Sequence, residues 1–218
     1  MVSKFQTSLN EIKIKILHIG EGLFLANKLI NEALASCDNE KFTLAKKQIK
    51  NISSKADEID NNIIKVLALY TPEARDLRQV IAYLKITNEL SRACSNTRSF
   101  IRGFTDVCTD VDVATINEYA VPMQTSTVKA IKLTLSMIEC NDVEEIQEIY
   151  NEVLIEENKT DDLYEMVERN LSNQADGQSF EKFHKMLRAL RKSGKIASRA
   201  ISIANLLVYA KVGGNFHN

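Results

Sequence analysis

The sequence predicts an all-α protein built as two tandem antiparallel three-helix bundles with six long helices. Of its 218 residues only 7 are glycine and 2 are proline, and helix interiors disfavour both residue types. Apolar residues recur at alternating steps of three and four, which places them on one helix face. The pattern occurs three times and then three times again, so two equivalent triplets are expected.

The first triplet is predicted over residues 1–104. Its first helix carries an apolar stripe from Phe5 to Ile30, and residues 36–38 (Ser-Cys-Asp) separate it from the second helix. The second stripe continues from Ile49 to Tyr70 without an interruption. Both stripes have the spacing that packs one helix against others in a bundle.

The third helix is predicted to open at residues 71–73 (Thr-Pro-Glu). Thr71 can cap the helix, and Pro72 suits the first helical position because its fixed φ fits there. Its buried stripe is expected to begin at Leu77 and Ile81, and the helix to run to about Gly103. Residues 105–112 are rich in Thr and Asp and are interpreted as a linker.

The second triplet is predicted over residues 113–214. Its first helix spans roughly 113–139, and residues 141–144 (Asn-Asp-Val-Glu) resemble a capping box that opens the next helix. Residues 175–177 (Ala-Asp-Gly) are expected to break the chain before the last helix, which should stop at 213–214 (Gly-Gly).

Overall charge argues against nucleic acid as a partner. The chain has 28 basic and 29 acidic residues, a net charge of −1, whereas nucleic-acid binders usually carry a basic excess. The last helix nevertheless has a basic run, for which a solvated face, docking to an acidic protein surface and nucleic-acid binding remain open. The run consists of Lys182, Lys185, Arg188, Arg191, Lys192 and Lys195.

The cysteines and the apolar segments indicate a cytoplasmic protein. Cys37, Cys94, Cys108 and Cys140 occur singly, without the close pairs of zinc sites, and are predicted to be buried free thiols in a reducing compartment. The N-terminus lacks a signal-peptide apolar block. Because apolar stretches such as 201–209 are far shorter than the roughly 20 residues of a membrane span, no direct membrane insertion is expected.

No combination of residues indicates catalysis. His18, His184 and His217 are scattered along the sequence, and no nucleophile elbow, phosphate-binding glycine loop or His-Glu-x-x-His motif is present. Residues 20–22 (Gly-Glu-Gly) lie within a helical pattern with no preceding strand, so they do not form a nucleotide loop. The chain is therefore predicted not to be an enzyme and to have no catalytic residues.

Residues 58–92 carry a more specific signal. This segment resembles the signature of the PhoU family, in which one helix ends and Pro-x-Ala-x-Asp-Leu-Arg opens the next. Residues 84–90 and Arg92 also fit the family, and residues 161–164 and 203–213 resemble its second repeat and C-terminus. The residues that match the motif are Pro72, Ala74, Asp76, Leu77 and Arg78.

The resemblance implies a cytoplasmic signalling adaptor for phosphate homeostasis. Such a protein would couple a phosphate ABC transporter to a sensor histidine kinase and restrain uptake and the phosphate response. The resemblance also implies a homodimer. Arg75, Asp76, Arg78 and Arg92 are candidate partner-binding residues, although Asp76 and Arg78 could instead lock the turn before the third helix. The alternative function is a divergent helical adaptor or structural protein unrelated to phosphate.

The family's metal-binding motifs are degenerate in this sequence. Relatives usually carry Glu-x-x-x-Asp on the third and sixth helices, where two carboxylates share a face. Only Glu157 and Asp161 keep this spacing here, and they are weak metal candidates or a solvated pair. We therefore expect the metal clusters to be lost, with no cofactor and with close helix packing in their place. The degenerate positions are Ser91, Ser95, Gly194 and Ser198, with Ile49 and Ser53 on the second helix.

Overall fold

The computed structural model describes residues 3–174 and 177–213, with side chains described over 3–170 and 180–213. Within these ranges the chain forms seven helices and no strand. The predicted all-α class and its two antiparallel triplets are confirmed, the first triplet being α1 to α4 and the second α5 to α7. The helices are α1 (Lys4–Leu34), α2 (Asn39–Gln48), α3 (Ile52–Leu69), α4 (Ala74–Asp110), α5 (Val113–Glu139), α6 (Val143–Gln174) and α7 (Gly177–Lys211).

The second rod of the first triplet is divided into α2 and α3. Asp38 caps α2, accepting hydrogen bonds from the backbone N–H groups of Glu40 (2.9 Å) and Lys41 (3.1 Å). The division falls at Asn51, which has a left-handed φ of 58°, a conformation that asparagine tolerates better than most residues. Arg98 donates a 2.9 Å hydrogen bond to the freed carbonyl oxygen of Ile49, so the break is held by α4.

The predicted start of the third rod is wrong by a few residues. Helix α4 begins at Ala74 with Glu73 in the cap position, and no side chain caps it. Leu77 and Ile81 are 37% and 36% exposed, so they do not begin the buried stripe. The stripe starts instead at Val80 and continues through Tyr83, since both side chains are almost completely buried.

The predicted linker at 105–112 is also wrong. Helix α4 continues to Asp110 because Phe104 and Val107 are fully buried and extend its apolar stripe. Thr105 is accommodated by a 2.9 Å bond from its hydroxyl to the carbonyl oxygen of Ile101. Only 111–112 remains as the connection between the triplets.

The predicted helix ends in the second triplet agree closely with the structure. Asp142 accepts a 2.9 Å hydrogen bond from the backbone N–H of Glu145 at the start of α6. The predicted break covers residues 175–177. Helix α7 already begins at Gly177, and residues 175–176 lie outside the described residues. Helix α7 ends at Lys211, followed by Gly213 with φ +90°, while Gly214 and His217 also lie outside them.

Four helices form the centre of the molecule. Helix α1 packs against α5, and α4 packs antiparallel to α7 in the most extensive helix contact. The α2–α3 rod covers α1 and α4 on one side, and α6 covers α5 and α7 on the other. One continuous hydrophobic core runs through both triplets. The division into domains 1–104 and 113–214 stays a prediction.

Two of the four cysteines are bonded to each other. Cys37, in the turn after α1, forms a disulfide with Cys108 in the last turn of α4, with a Cα–Cα distance of 5.6 Å. The prediction of four free thiols is therefore wrong for this pair, which only the packing of the triplet brings together. Cys94 is a buried thiol and Cys140 a partly buried one.

Among the described residues, no helix is both long enough and apolar enough to span a bilayer.

Candidate partner-binding face

A groove runs along the contact between α4 and α7, and we call it the α4–α7 groove. The two helices approach closely at Gly103, where an added Cβ would lie 3.2 Å from the Cβ of Ala189. Near this point a cavity of about 360 Å³ opens to solvent, lined by Ser99, Arg102, Gly103, Asp106, Lys185, Arg188, Ala189 and Lys192.

A second, larger cavity lies further along the same groove. Its volume is about 790 Å³. It is lined from α4 by Lys85, Asn88, Glu89 and Arg92, and from α7 by Ser198, Arg199, Ile201, Ser202, Asn205 and Leu206. Basic side chains outnumber acidic ones in both linings.

Two ion pairs hold the groove's walls together. Arg199 donates a 3.0 Å bond to Glu89, and Lys185 donates a 3.0 Å bond to Asp110. The bond from Lys185 holds the pKa of Asp110 below its usual value, and the same bond raises the pKa of Lys185. The Lys185–Asp110 pair therefore stays charged at neutral pH.

All four predicted partner-binding residues lie on α4. Arg92 is exposed in the lining of the larger cavity. Arg78 is half-buried at the end of the groove, where an added Cβ on Gly213 would lie 3.8 Å from its Nη2 atom. Arg75 is exposed and Asp76 half-buried in the first turn of α4. Their role in partner binding stays a prediction.

The proposed lock of the α3–α4 turn has no visible bond. Within the described residues no hydrogen bond or ion pair joins Asp76 or Arg78 to α3. The Nε atom of Arg78 is buried without a hydrogen-bond partner in that part of the chain. Arg78 instead lies against the carboxyl end of α7, which is the negative end of that helix dipole.

The two weak metal candidates lie on α6, facing α7. Glu157 accepts a 3.1 Å hydrogen bond from the hydroxyl of Ser198. Burial raises the pKa of Glu157, and the neighbouring charge of Asp161 raises it further. Burial likewise raises the pKa of Asp161, helped by Asp162 and Glu165. Both carboxylates thus lie where their charge is poorly compensated.

These residues do not fit a multinuclear metal cluster. The cavity beside them, of about 220 Å³, is lined by Asp161 and Ser198 but also by the cations Arg191 and Lys195. No group of three His, Cys, Asp or Glu side chains within the described part of the chain could hold a metal ion. A cluster of hard cations needs several anionic oxygens, and neighbouring cations oppose it. Loss of the family's metals stays a prediction.

The small residues at the degenerate metal positions have different environments. Gly194 is buried against α5, and an added Cβ would meet Met123 Cε at 3.3 Å. Ser91 Oγ is buried and finds no hydrogen-bond partner among the described residues, whereas Ser95 is exposed. Gly194 therefore permits close packing inside the second triplet, and Gly103 permits it between the triplets.

Sequence reasoning missed a buried polar network that crosses the four central helices. The side chain of Asn27 on α1 donates to Thr97 on α4 (3.2 Å) and accepts from Gln124 on α5 (3.0 Å). The hydroxyl of Ser193 on α7 donates a 2.7 Å hydrogen bond to the side-chain oxygen Oε1 of Gln124. The same hydroxyl lies 2.9 Å from the hydroxyl of Thr127. All five side chains are almost inaccessible. The sequence signal that could have indicated this network was the presence of polar residues within the apolar stripes.

Sequence reasoning also selected the wrong carboxylate on α6. Glu156, not Glu157, is the buried one, with 3% of its surface exposed. It accepts bonds from Lys129 at 2.8 Å and from Lys159 at 2.9 Å. Burial pushes the pKa of Glu156 upward, but bonds from the two lysines and Ser126 outweigh it and lower that pKa. Glu156 therefore attaches α6 to α5 as a charged group.

The described chain has the fold of known PhoU proteins. It superposes on the crystal structure of PhoU from Pseudomonas aeruginosa with a TM-score of 0.85, over 97% of this chain and 100% of that one, at 19% identity. It also superposes on the phosphate transport system regulatory protein PhoU from Streptococcus pneumoniae with a TM-score of 0.77, over 99% and 100% of the two chains, at 18% identity. At these identities the likeness establishes the fold, a PhoU-type helical bundle.

Part of the sequence also matches PhoU proteins. Residues 17–100 match the family model of the PhoU domain. The Phosphate-specific transport system accessory protein PhoU homolog 1 of Thermotoga maritima is 31% identical over 77 residues, which cover 34% of this chain and only 33% of that relative. These matches confirm the resemblance to the PhoU family seen in residues 58–92.

Proposed function

We propose that the chain regulates phosphate uptake by binding other proteins, and that it is not an enzyme. The observation that carries this proposal is the PhoU domain at residues 17–100, within a chain that has the PhoU fold over nearly its whole length. The relatives that it resembles are named as an accessory protein and a regulatory protein of phosphate transport.

The proposed partners are a phosphate ABC transporter and a sensor histidine kinase. Binding that favours one conformation of such a partner shifts its equilibrium, and no covalent chemistry is needed. The long groove between α4 and α7, with its surplus of cations, supports action through a surface. A cytoplasmic location and a homodimer belong to the same proposal.

The cytoplasmic part of the proposal has a direct consequence for the disulfide. Disulfides seldom persist in a reducing cytoplasm, so Cys37 and Cys108 would be largely reduced in growing cells. Rapid acid quenching and alkylation, followed by mass spectrometry, would measure this. Mostly alkylated cysteines support a cytoplasmic location, and a mostly intact bond would contradict it.

We further propose that this regulator works without the metal clusters of its relatives. The replacement of carboxylates by Ser91, Ser95, Gly194 and Ser198 supports this, as does the poor fit of Glu157 and Asp161 to a cluster. Elemental analysis of protein purified without chelator tests it. Several equivalents of bound iron or zinc per chain would overturn it.

Deletion of the gene tests the proposed function. Cells lacking it should take up phosphate and express a phosphate-starvation reporter even in high phosphate, and the wild-type gene on a plasmid should restore restraint. Unchanged uptake and reporter output in the deletion strain would refute a phosphate role. The degenerate metal positions would then favour the second candidate, a helical adaptor unrelated to phosphate, whose partners co-purification would identify.

A further inference from the structure

Charge is distributed very unevenly between the last two helices. Helix α6 carries ten acidic and two basic side chains, whereas α7 carries eight basic and one acidic. The net charge of −1 therefore conceals a strongly positive strip along α7. What this strip can bind depends on its neighbours in the fold.

Helix α4 adds further cations opposite this strip. Arg78, Lys85 and Arg92 recur every seven residues, a spacing that keeps side chains on nearly one helix face. Together the linings of the two groove cavities contain seven basic side chains and two acidic ones, Glu89 and Asp106. The groove is thus positive along both walls, although the protein as a whole is nearly neutral.

Most cations at the narrow end of the groove lack a counter-ion. Arg102 on α4 and Arg188 and Lys192 on α7 line the same cavity, and no hydrogen bond or ion pair of the described residues involves them. Like charges facing one another across a groove repel, and an anionic occupant would relieve that repulsion. The arrangement therefore favours a bound anion over an empty, solvated face.

The shape of the groove favours an extended occupant. The lined part of α4 runs from residue 85 to residue 106, which is about 30 Å at 1.5 Å per residue. Apolar surface in the groove comes from Ile201, which is partly exposed, and from the aliphatic parts of the other lining side chains, whereas Ala189 and Leu206 are only 3% and 2% exposed. An amphipathic helix can lay its apolar stripe on such a surface while its flanking side chains meet the walls.

We propose that the α4–α7 groove binds an acidic amphipathic helix of a partner protein. Glutamate and aspartate beside the apolar stripe of that helix would pair with Arg92, Arg102, Arg188 and Lys192. Single-stranded nucleic acid is disfavoured, because none of the described residues that line the two cavities has an aromatic side chain to stack on bases. The inference rests on the proposed function in one respect, that the chain acts by binding proteins.

Charge-reversal variants of the full chain test the groove directly. The groove variant is Arg102→Glu, Arg188→Glu and Lys192→Glu. The matched control variant is Lys46→Glu, Lys47→Glu and Lys50→Glu, which makes the same charge change at exposed positions in and just after α2. Circular dichroism and thermal melts establish that both variants are folded.

The probe is a fluorescein-labelled helical peptide of about 20 residues, which matches the groove length. It has a leucine stripe flanked by glutamates, and a second peptide has glutamines in their place. In fluorescence anisotropy, wild type and control variant should bind the glutamate peptide equally. The groove variant should bind it at least roughly tenfold more weakly, and the glutamine peptide should bind weakly to all three.

Three outcomes would overturn the inference. The first is equal peptide binding by the groove variant and wild type. The second is displacement of the peptide by duplex DNA at lower concentration than by unlabelled peptide, which would assign the groove to nucleic acid. The third is self-association of the wild type that blocks the peptide and is lost in the groove variant, which would assign the groove to a second copy.

Complementation of the deletion strain separates this inference from the proposed function. If the wild-type gene fails to restore the restraint of phosphate uptake, the proposed function is refuted, whether or not the peptide binds to the groove. If wild type and groove variant restore it equally, the phosphate role stands and the groove is not its binding surface. Restoration by wild type and the control variant but not by the groove variant supports both.

Discussion

At two glycines of α1, an added Cβ would come very close to an atom of a neighbouring helix. An added Cβ on Gly22 would lie 2.7 Å from the backbone carbonyl oxygen of Gln48, at the end of α2. An added Cβ on Gly20 would collide with the end of the Leu135 side chain on α5. Leu135 can change rotamer, but the carbonyl of Gln48 cannot move without shifting its helix. A side chain should therefore be tolerated better at Gly20 than at Gly22.

We expect Gly22→Ala to destabilise the protein by about 1–3 kcal/mol, the usual cost of overpacking. The better helix propensity of alanine, worth about 1 kcal/mol, does not offset a clash with backbone. Gly20→Ala is the matched control and should change the free energy of unfolding much less. Urea denaturation measures both, and equal stability of Gly22→Ala and wild type would refute the close α1–α2 contact.

The pKa of Glu157 predicts a pH-dependent effect of its charge. Because this pKa is raised in the folded state, the charge opposes folding once pH exceeds the folded pKa. The associated stability is complete below the unfolded pKa and is lost as pH rises through the folded one. Glu157→Gln removes the charge and retains an acceptor for Ser198.

The Glu157→Gln variant should therefore be more stable than wild type at neutral pH, with the difference disappearing in acid. Thermal melts across the pH range measure this, with Glu148→Gln, at an exposed residue on the same helix, as control. A stability difference that stays constant or grows in acid would contradict the raised pKa.

At the scale of elements, helix existence was predictable and helix ends were less so. Local capping chemistry at Asp38 and Asp142 could be recognised in the sequence, because the side chain and its backbone partner are neighbours. The extension of α4 to Asp110 could not, since Thr and Asp resemble a linker until burial of Phe104 and Val107 outweighs their low helix propensity. The break at Asn51 was missed because the apolar stripe continues across it.

The disulfide also belongs to this scale, because it joins the end of α1 to the end of α4. Its cysteines are 71 residues apart. A cross-link that closes a loop of this length lowers the entropy of the unfolded chain and thereby stabilises the folded state by about 4 kcal/mol in the chain-entropy description. Cys37→Ser with Cys108→Ser should lower the free energy of unfolding of oxidised protein by that order. Cys140→Ser is the control and should change it little.

The same two proteins can be compared under reducing conditions. Wild type treated with dithiothreitol should fall to nearly the stability of the double serine variant, since both then lack the cross-link. If reduction leaves the wild-type melting temperature unchanged while the double variant is destabilised, the serine side chains rather than the lost bond would be responsible.

At the scale of the whole molecule, the triplets are joined by a shared interior. The chain Thr97, Asn27, Gln124 and Ser193 connects α4, α1, α5 and α7 by side-chain hydrogen bonds. Buried polar groups are costly when unpaired, so a shift of one triplet against the other would break several bonds together. The two triplets should therefore keep one relative position.

This shared interior predicts a single cooperative unfolding transition for the full chain. Differential scanning calorimetry should give one peak whose calorimetric and van't Hoff enthalpies agree. Disulfide-reduced protein should behave in the same way at a lower temperature. Two resolved peaks would instead favour triplets that unfold independently, as separate domains at 1–104 and 113–214 would.

The candidate face was only partly predictable at this scale. Arg92 came from the family motif, and the basic run that includes Arg188 and Lys192 already allowed docking to an acidic protein as one interpretation. Arg102 was missed, because only the antiparallel pairing of α4 with α7 brings it opposite that run. Sequence identifies charged helix faces, whereas packing decides which faces share a groove.

Affinity purification from phosphate-replete cells tests most directly whether the chain regulates phosphate uptake by binding proteins. Tagged wild type, groove variant and control variant would be compared by quantitative mass spectrometry. We predict enrichment of a phosphate-transporter or sensor-kinase subunit with wild type and with the control variant, and its loss with the groove variant. Absence of both proteins from the wild-type sample, under conditions that recover the tagged chain in full, would contradict the proposed function.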